Sequence, residues 1–222
     1  MIVQKKLFLV IIISIITNLI FAQDGKLYIL HTNNTNGALE NCYCPDHPFG
    51  AVEKRSIYLW GQVDDKSAKD IVTKLLLLDA DKPGAEINFY INSPGGIVTS
   101  GMVMFDTMNL IKSPVHTICM GLAASMGSIL LSMGEKGKRS IFPHGEVMIH
   151  QPSLGGYYQA TSADIEIQAE QIRKTKELGA QILAKNCGKS MEQIMADFDR
   201  DYWMNAEEAV AYGIVDKIAK SL

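Results

Sequence analysis

The sequence predicts an α/β domain built on a mostly parallel sheet. Short apolar runs of strand length alternate with stretches of helical periodicity, the pattern of repeated β-α units. Glycine and proline punctuate the ends of those runs, where strands hand over to loops. Hydrophobic residues make up 47% of the 222 and charged residues 20%, enough apolar material for a core and too much for a disordered chain. The formal net charge of −3 leaves no basic footprint, which argues against a nucleic-acid partner.

The first 55 residues differ in texture from the rest. Lys5 and Lys6 precede an apolar run, Leu7 to Phe21, closed by Ala22-Gln23-Asp24. A basic start, an apolar stretch of this length and a small residue at its end read as a secretory signal. A membrane anchor would want about 20 apolar residues, and this run has 15 with Thr17 and Asn18 inside it. Residues 1–22 are therefore set apart as a signal-like or anchor segment, and 23–55 as an atypical polar, turn-rich segment containing HTNNTNG (31–37) and ENCYCPDHPFG (40–50).

Ser56 to Trp60 reads as a strand closed by Gly61. Asp64, Asp65 and Ser67 are candidate N-caps for a helix with Ile71, Val72, Leu75, Leu76 and Leu78 as apolar positions, ended by Gly84. Ile87 to Ile91 is a second strand, followed by the loop Asn92-Ser93-Pro94-Gly95-Gly96. Residues 99–112 form a helix with Met102, Phe105, Met108 and Ile111 on one face. Val115 to Met120 is a third strand, ended at Gly121 and followed by a small-residue helix from Ser125. Short strands are expected at 140–142 and 146–149, then a long helix from Asp164 to Lys185. That helix is mixed in character: it either projects toward a neighbouring subunit or lies on the surface with one buried stripe. The eleven methionines are expected to fill irregular gaps in the core.

Several residues have the chemistry of a hydrolytic site. Ser125 opens a helix after a crowded strand end, beside free backbone N–H groups that can stabilise an oxyanion. The same position also suits an ordinary serine N-cap. Gly95 and Gly96 let backbone approach a substrate closely. Of the five histidines, His150 stands at a strand end, as a general base should. His116 sits within a strand, and His144 reads as a turn residue. Asp197, Asp199 and Asp201 all compete to orient the histidine, and the residues alone do not choose among them. Cys42, Cys44 and His47 are too sparse for a metal site, and Cys119 and Cys187 lie in apolar stretches without a disulfide framework.

The stretches INSPGG (91–96), GLAASMGSILLSMGEKGKR (121–139), MIHQP (148–152), ATSADIEIQAEQI (160–172) and NAEEAVAYGIVD (205–216) closely resemble the Clp protease proteolytic subunit. The resemblance runs from about Ser56 to the C-terminus, so 56–222 is taken as a Clp-type serine peptidase domain. It implies the repeated ββα spiral shared with crotonases, with the 164–185 helix as a protruding handle. Ser125 aligns with the family nucleophile and His150 with its base. The family aspartate, in a segment after Glu192-Gln193-Ile194, matches Asp201, with Asp199 as the near alternative. The backbone N–H groups of Gly96 and Met126 align with the oxyanion donors. No metal or other cofactor is implied. The expected partners are further copies of the chain in two stacked heptameric rings, a separate AAA+ unfoldase ATPase, and unfolded protein or peptide substrates. Rival readings are a non-catalytic ring component and a crotonase-type acyl-CoA enzyme.

Residues 26–55 resemble instead the opening of a 5′-nucleotidase-type metallophosphoesterase. The Asp-x-His metal pair of that family is absent, since the chain reads Asn33-Asn34-Thr35-Asn36 there. The family location is cytoplasmic, whereas residues 1–22 would imply export or membrane association, and a replaced N-terminal loop bears on docking to the unfoldase.

Overall fold

The computed structural model describes residues 18–23, 26–31, 55–155 and 159–221. The chain divides into two compact units, 1–50 and 51–222. Within the first, β1 (Asn18–Gln23) pairs antiparallel with β2 (Lys26–His31). The end of the signal-like segment thus falls in a hairpin strand. Cys42, Cys44, His47 and most of the apolar run lie outside the described residues. No helix among the described residues is long and apolar enough to cross a membrane.

The second unit begins its sheet with β3 (Ser56–Trp60), which alternates buried and exposed positions after its first residue. Arg55 precedes it and bonds the carbonyls of Leu78, Ala85 and Glu86. That guanidinium satisfies backbone acceptors around the end of α1 (Asp65–Asp81). At the start of α1, Asp64 and Ser67 form a reciprocal capping box. Ala68, Ile71, Leu75 and Leu78 are buried, whereas Leu76, expected on the core face, is 53% exposed. Next come β4 (Ile87–Ser93) and α2 (Val98–Leu110). The face of α2 is rotated from expectation: Met104 is fully buried beside Ser100, Gly101 and Met108, while Met102, Phe105 and Ile111 are only partly covered.

The largest departure from expectation is in β5, which runs from Val115 through Gly121 to Ala124. Its first half pairs with β6 (Ser140–Ile141) and its second half with β7 (Glu146–Ile149), both parallel. The β4–β5 register shifts between Ile91 and Ser93, and the Asn92 side chain fills the gap by accepting the Leu122 N–H. The irregularity turns the end of β5 onto a new neighbour, so Gly121 is a corner rather than a terminus. α3 (Met126–Ser132) follows, entirely buried.

α4 (Ser162–Cys187) is capped by a Thr161–Asp164 box and closed by Gly188 in the left-handed region. From Ser162 to Gly179 no residue is buried, and Ile165 and Ile167 are exposed; burial is confined to Ala180, Leu183 and Ala184. The remaining elements were not read from the pattern: α5 (Met191–Asp197), β8 (Tyr202–Met204), α6 (Ala206–Tyr212) and β9 (Lys217–Ile218). Local signals for two of them existed, since Ser190 caps α5 and Asn205 with Glu208 forms a capping box for α6. The main sheet path is β3-β4-β5-β6-β9, with β7 beside β5 and β8 antiparallel to β7. Its core joins Ile57, Leu59, Phe89, Ile91, Leu130 and Leu131, each at most 1% exposed.

One buried polar cluster fastens the C-terminal elements to this core. Arg139, 3% exposed, donates from Nε and Nη2 to the two oxygens of Asp216 at 3.0 and 2.5 Å, and from Nη1 to the Asn186 carbonyl at 2.9 Å. Burial raises the Asp216 carboxyl, but the Arg139 bonds outweigh it and leave the group below its ordinary range. Removing one partner strands the other charge. Arg139→Leu is expected to lower stability by about 3–5 kcal/mol, measured by urea unfolding at neutral pH. A loss under 1 kcal/mol would mean that the pair behaves as a surface contact.

Candidate active site

The candidate residues meet because β7 has two different neighbours. On one side, parallel pairing sets Ala124 beside Met148, so Ser125 and His150 emerge together past the carboxyl ends of adjacent strands. On the other, antiparallel pairing sets Ile149 opposite Tyr202, and the next step of the same register sets His150 opposite Asp201. The side chains then form a line. His150 Nε2 lies 2.8 Å from Ser125 Oγ, and Nδ1 lies 3.1 Å from Asp201 Oδ1. With Nδ1–H donating to the Asp201 carboxylate, Nε2 would face Ser125 Oγ as an acceptor.

Ser125 is held in an uncommon backbone conformation, φ 54° and ψ −121°, which costs of the order of 1–3 kcal/mol for a residue with a side chain. Its surroundings enforce it. The Ser125 N–H donates to the Met148 carbonyl at 2.9 Å, and the Ser125 carbonyl accepts from the Ser128 N–H and hydroxyl at 3.0 and 2.6 Å. The bend aims Oγ at His150 and leaves Met126 N–H as the first orphan donor of α3.

The loop 93–97 crosses directly over that bend. A Cβ on Gly95 would fall 2.6 Å from Ser125 Cβ and 2.8 Å from Met126 N. A Cβ on Gly96 would fall 2.2 Å from the Val63 carbonyl oxygen, because Val63 and Gly96 form a parallel bridge. Neither position admits a side chain. Val63 bonds through Gly95 O and Ile97 N, so the ladder leaves the Gly96 N–H unused. Ser93 Oγ accepts the Gly95 N–H at 3.1 Å and stiffens the turn.

Beside these groups lies an apolar groove of about 480 Å³, open to solvent. Met102, Met126, Ile129, Leu178, Ile182 and Phe198 line much of it, with Ser125 and His150 at its edge. The wall supplied by α4 and Phe198 was not foreseen, because it depends on how a distant helix packs and no local signal records that.

The competing residues are occupied elsewhere. Asp197 accepts from Tyr212 OH at 2.8 Å and Gln193 Nε2 at 2.9 Å; burial first, then this carboxylate, pushes the tyrosine hydroxyl up. Asp199 faces Gln151 and Lys176. His116 lies at the start of β5, away from Ser125, with Nδ1 3.7 Å from Glu86 and Nε2 buried without a partner; burial pushes its pKa down, against the pull of Glu86. His144 is exposed. Burial pushes the Cys119 thiol up to about 12. Among the described residues, no cluster of three His, Cys, Asp or Glu side chains is arranged to hold a metal ion.

Residues 46–221 match the family model described as Clp protease. The chain belongs to the Clp protease family. It is a peptidase of that family by descent, and the mostly parallel sheet and six helices of the described residues are consistent with the family fold. The match starts ten residues upstream of Ser56.

The geometry separates two aspartates that sequence could not. Asp201→Asn is expected to lower kcat by roughly 10²- to 10⁴-fold in peptide cleavage, and Asp199→Asn by less than about tenfold because its contacts do not touch His150. The reverse ranking would move the third role to Asp199.

Proposed function

We propose that the chain is the proteolytic subunit of an ATP-dependent Clp protease, a serine endopeptidase whose residues 56–222 form the peptidase domain. The observation that carries this reading is the line Ser125 Oγ–His150–Asp201, with separations of 2.8 and 3.1 Å. In the proposed mechanism His150 Nε2 takes the Ser125 proton as Oγ attacks the peptide carbonyl. The oxyanion that forms is met by the Gly96 and Met126 N–H groups. Collapse breaks the C–N bond, the imidazolium returns its proton to the leaving amine, and a serine ester remains. Water, deprotonated by His150, then releases the acid and regenerates Ser125. Asp201 keeps the imidazole in its reactive tautomer and stabilises the imidazolium, without itself taking the proton.

The chamber and its ATPase belong to the same proposal. An α4 in which no residue from Ser162 to Gly179 is fully buried while Ile165 and Ile167 are exposed suits a helix that finds its cover in another copy. Two stacked rings closed by such contacts would hide the active sites from folded proteins, and a separate AAA+ unfoldase would feed them. The apolar groove beside Ser125 is proposed to receive the side chain preceding the scissile bond.

The test is cleavage of a fluorogenic peptide by protein lacking residues 1–22, with particle size recorded. Ser125→Ala is expected to reduce kcat by about 10⁴-fold or more from a particle of unchanged, ring-like size. Cleavage near wild type would remove Ser125 from the reaction, and an inactive ring-sized wild type would favour the non-catalytic ring component. Peptides with Leu, Met or Phe before the scissile bond are expected to exceed Asp or Lys peptides in kcat/KM by about 10- to 100-fold, since burying such side chains contributes roughly 1.5–3 kcal/mol. Equal turnover of both sets would detach the groove from specificity.

A further inference from the structure

Asp201 is weakly supported for a residue that must hold a histidine in place. Its side chain is 60% exposed, and among the described residues its carboxylate takes one hydrogen bond, the one from His150. Among the described residues no N–H group bonds its second oxygen. The aim of this carboxylate is therefore set by the backbone that carries it.

That backbone is a short link. α5 ends at Asp197, and β8 begins at Tyr202, where pairing with Ile149 takes over. Between them, Phe198 is anchored in the core at 4% exposure, whereas Arg200 is 91% exposed. One residue ties the link to the histidine strand. The Gln151 main-chain N–H donates to the Phe198 carbonyl at 2.6 Å. The Gln151 side chain then reaches one residue further: Nε2 donates to the Asp199 carbonyl at 2.7 Å and to its Oδ1 at 3.3 Å. Lys176 of α4 approaches the same Oδ1 at 3.8 Å. Gln151 immediately follows His150 in sequence. It therefore fixes the distance between the strand bearing the base and the link bearing the carboxylate.

We propose that Gln151 is the positioning residue for Asp201: its carboxamide clamps the Asp199 backbone carbonyl so that the exposed Asp201 carboxylate faces His150 Nδ1. This rests on the triad reading given above. The clamp depends on the donor as well as on length. Methionine has a similar reach and no N–H, asparagine keeps the amide but is one methylene short, and neither disturbs the main-chain bond to Phe198.

The experiment is a double-mutant cycle in steady-state peptide cleavage, using the full chain as wild type, Gln151→Met, Asp201→Asn and the two combined, with thermal unfolding recorded on each. Gln151→Met is expected to lower kcat by roughly 10- to 100-fold with KM within about twofold, the signature of a displaced catalytic group rather than lost substrate binding. On the Asp201→Asn background the same change is expected to cost less than about twofold, because the carboxylate it positions is already gone. Wild-type kcat in Gln151→Met, or its full loss repeated beside Asp201→Asn, would overturn the proposal. Wild-type turnover in Asp201→Asn alone would instead overturn the triad reading beneath it. Should Gln151→Met not assemble, Gln151→Asn enters the same cycle with the same expectations.

Discussion

Strand β7 is four residues long, and the line of Ser125, His150 and Asp201 depends on its having unlike neighbours. A parallel partner carries side chains out at the same end as itself, and an antiparallel partner brings them in from the opposite direction. With β5 on one side and β8 on the other, β7 lets residues far apart in sequence arrive at one strand end. Ser125 comes from the first, His150 from β7 itself and Asp201 from the second. A one-residue slip of β8 would turn Asp201 to the other face of the sheet. The buried Val147, Ile149 and Met204 oppose such a slip, since it would drive apolar side chains toward solvent.

Strain is the counterpart of that order. Ser125 occupies a backbone region that residues with side chains avoid, and it does so where β5 has just changed partners from β6 to β7. The displacement begins one strand earlier, at the register shift beside Asn92. From there the consequences are steric: a glycine must pass over Ser125, and a second must pass over Val63. The Ser-Pro-Gly-Gly loop is thus less a flexible hinge than the only backbone thin enough for the space. The N–H groups of Gly96, within that loop, and of Met126, beside it, are the oxyanion donors of the proposed mechanism.

Much of this was legible in the sequence, and what was not has a common cause. Strands β3, β4 and β7 announce themselves as apolar runs, and α1 through its capping box and period. Gly121 misled, because a glycine after an apolar run usually marks an end, and only the pairing with β7 keeps the strand going. The face of α2 was rotated for a similar reason: Met104 is buried by its packing, which the repeat of Met102, Phe105 and Met108 did not reveal. Residue chemistry nominated Ser125 and His150 yet left three aspartates open. The choice depends on a strand register that three residues of β8 cannot declare by pattern; family resemblance selected Asp201, and the antiparallel pairing independently sets it opposite His150. The apolar groove was invisible throughout, since a third of its lining residues come from a helix remote in sequence.

That helix connects parts of the protein that would otherwise be separate. The latter half of α4 supplies Leu178 and Ile182 to the groove, while its base is fixed twice over. Asn186 gives its carbonyl to Arg139 and its amide to Ser132 Oγ, on the same short helix that Ser125 begins. Among the described residues, no side-chain hydrogen bond or ion pair ties Ser162–Lys174 to another element. A contact made there by another copy would act on a rigid rod seated at its far end, and packed side chains pass displacement on rather than absorb it. Were the proposed assembly to use α4, it would act on the groove wall and on Lys176, which faces Asp199 of the link that carries Asp201. In this fold, the exposed start of α4 and the wall of the candidate active site belong to one element.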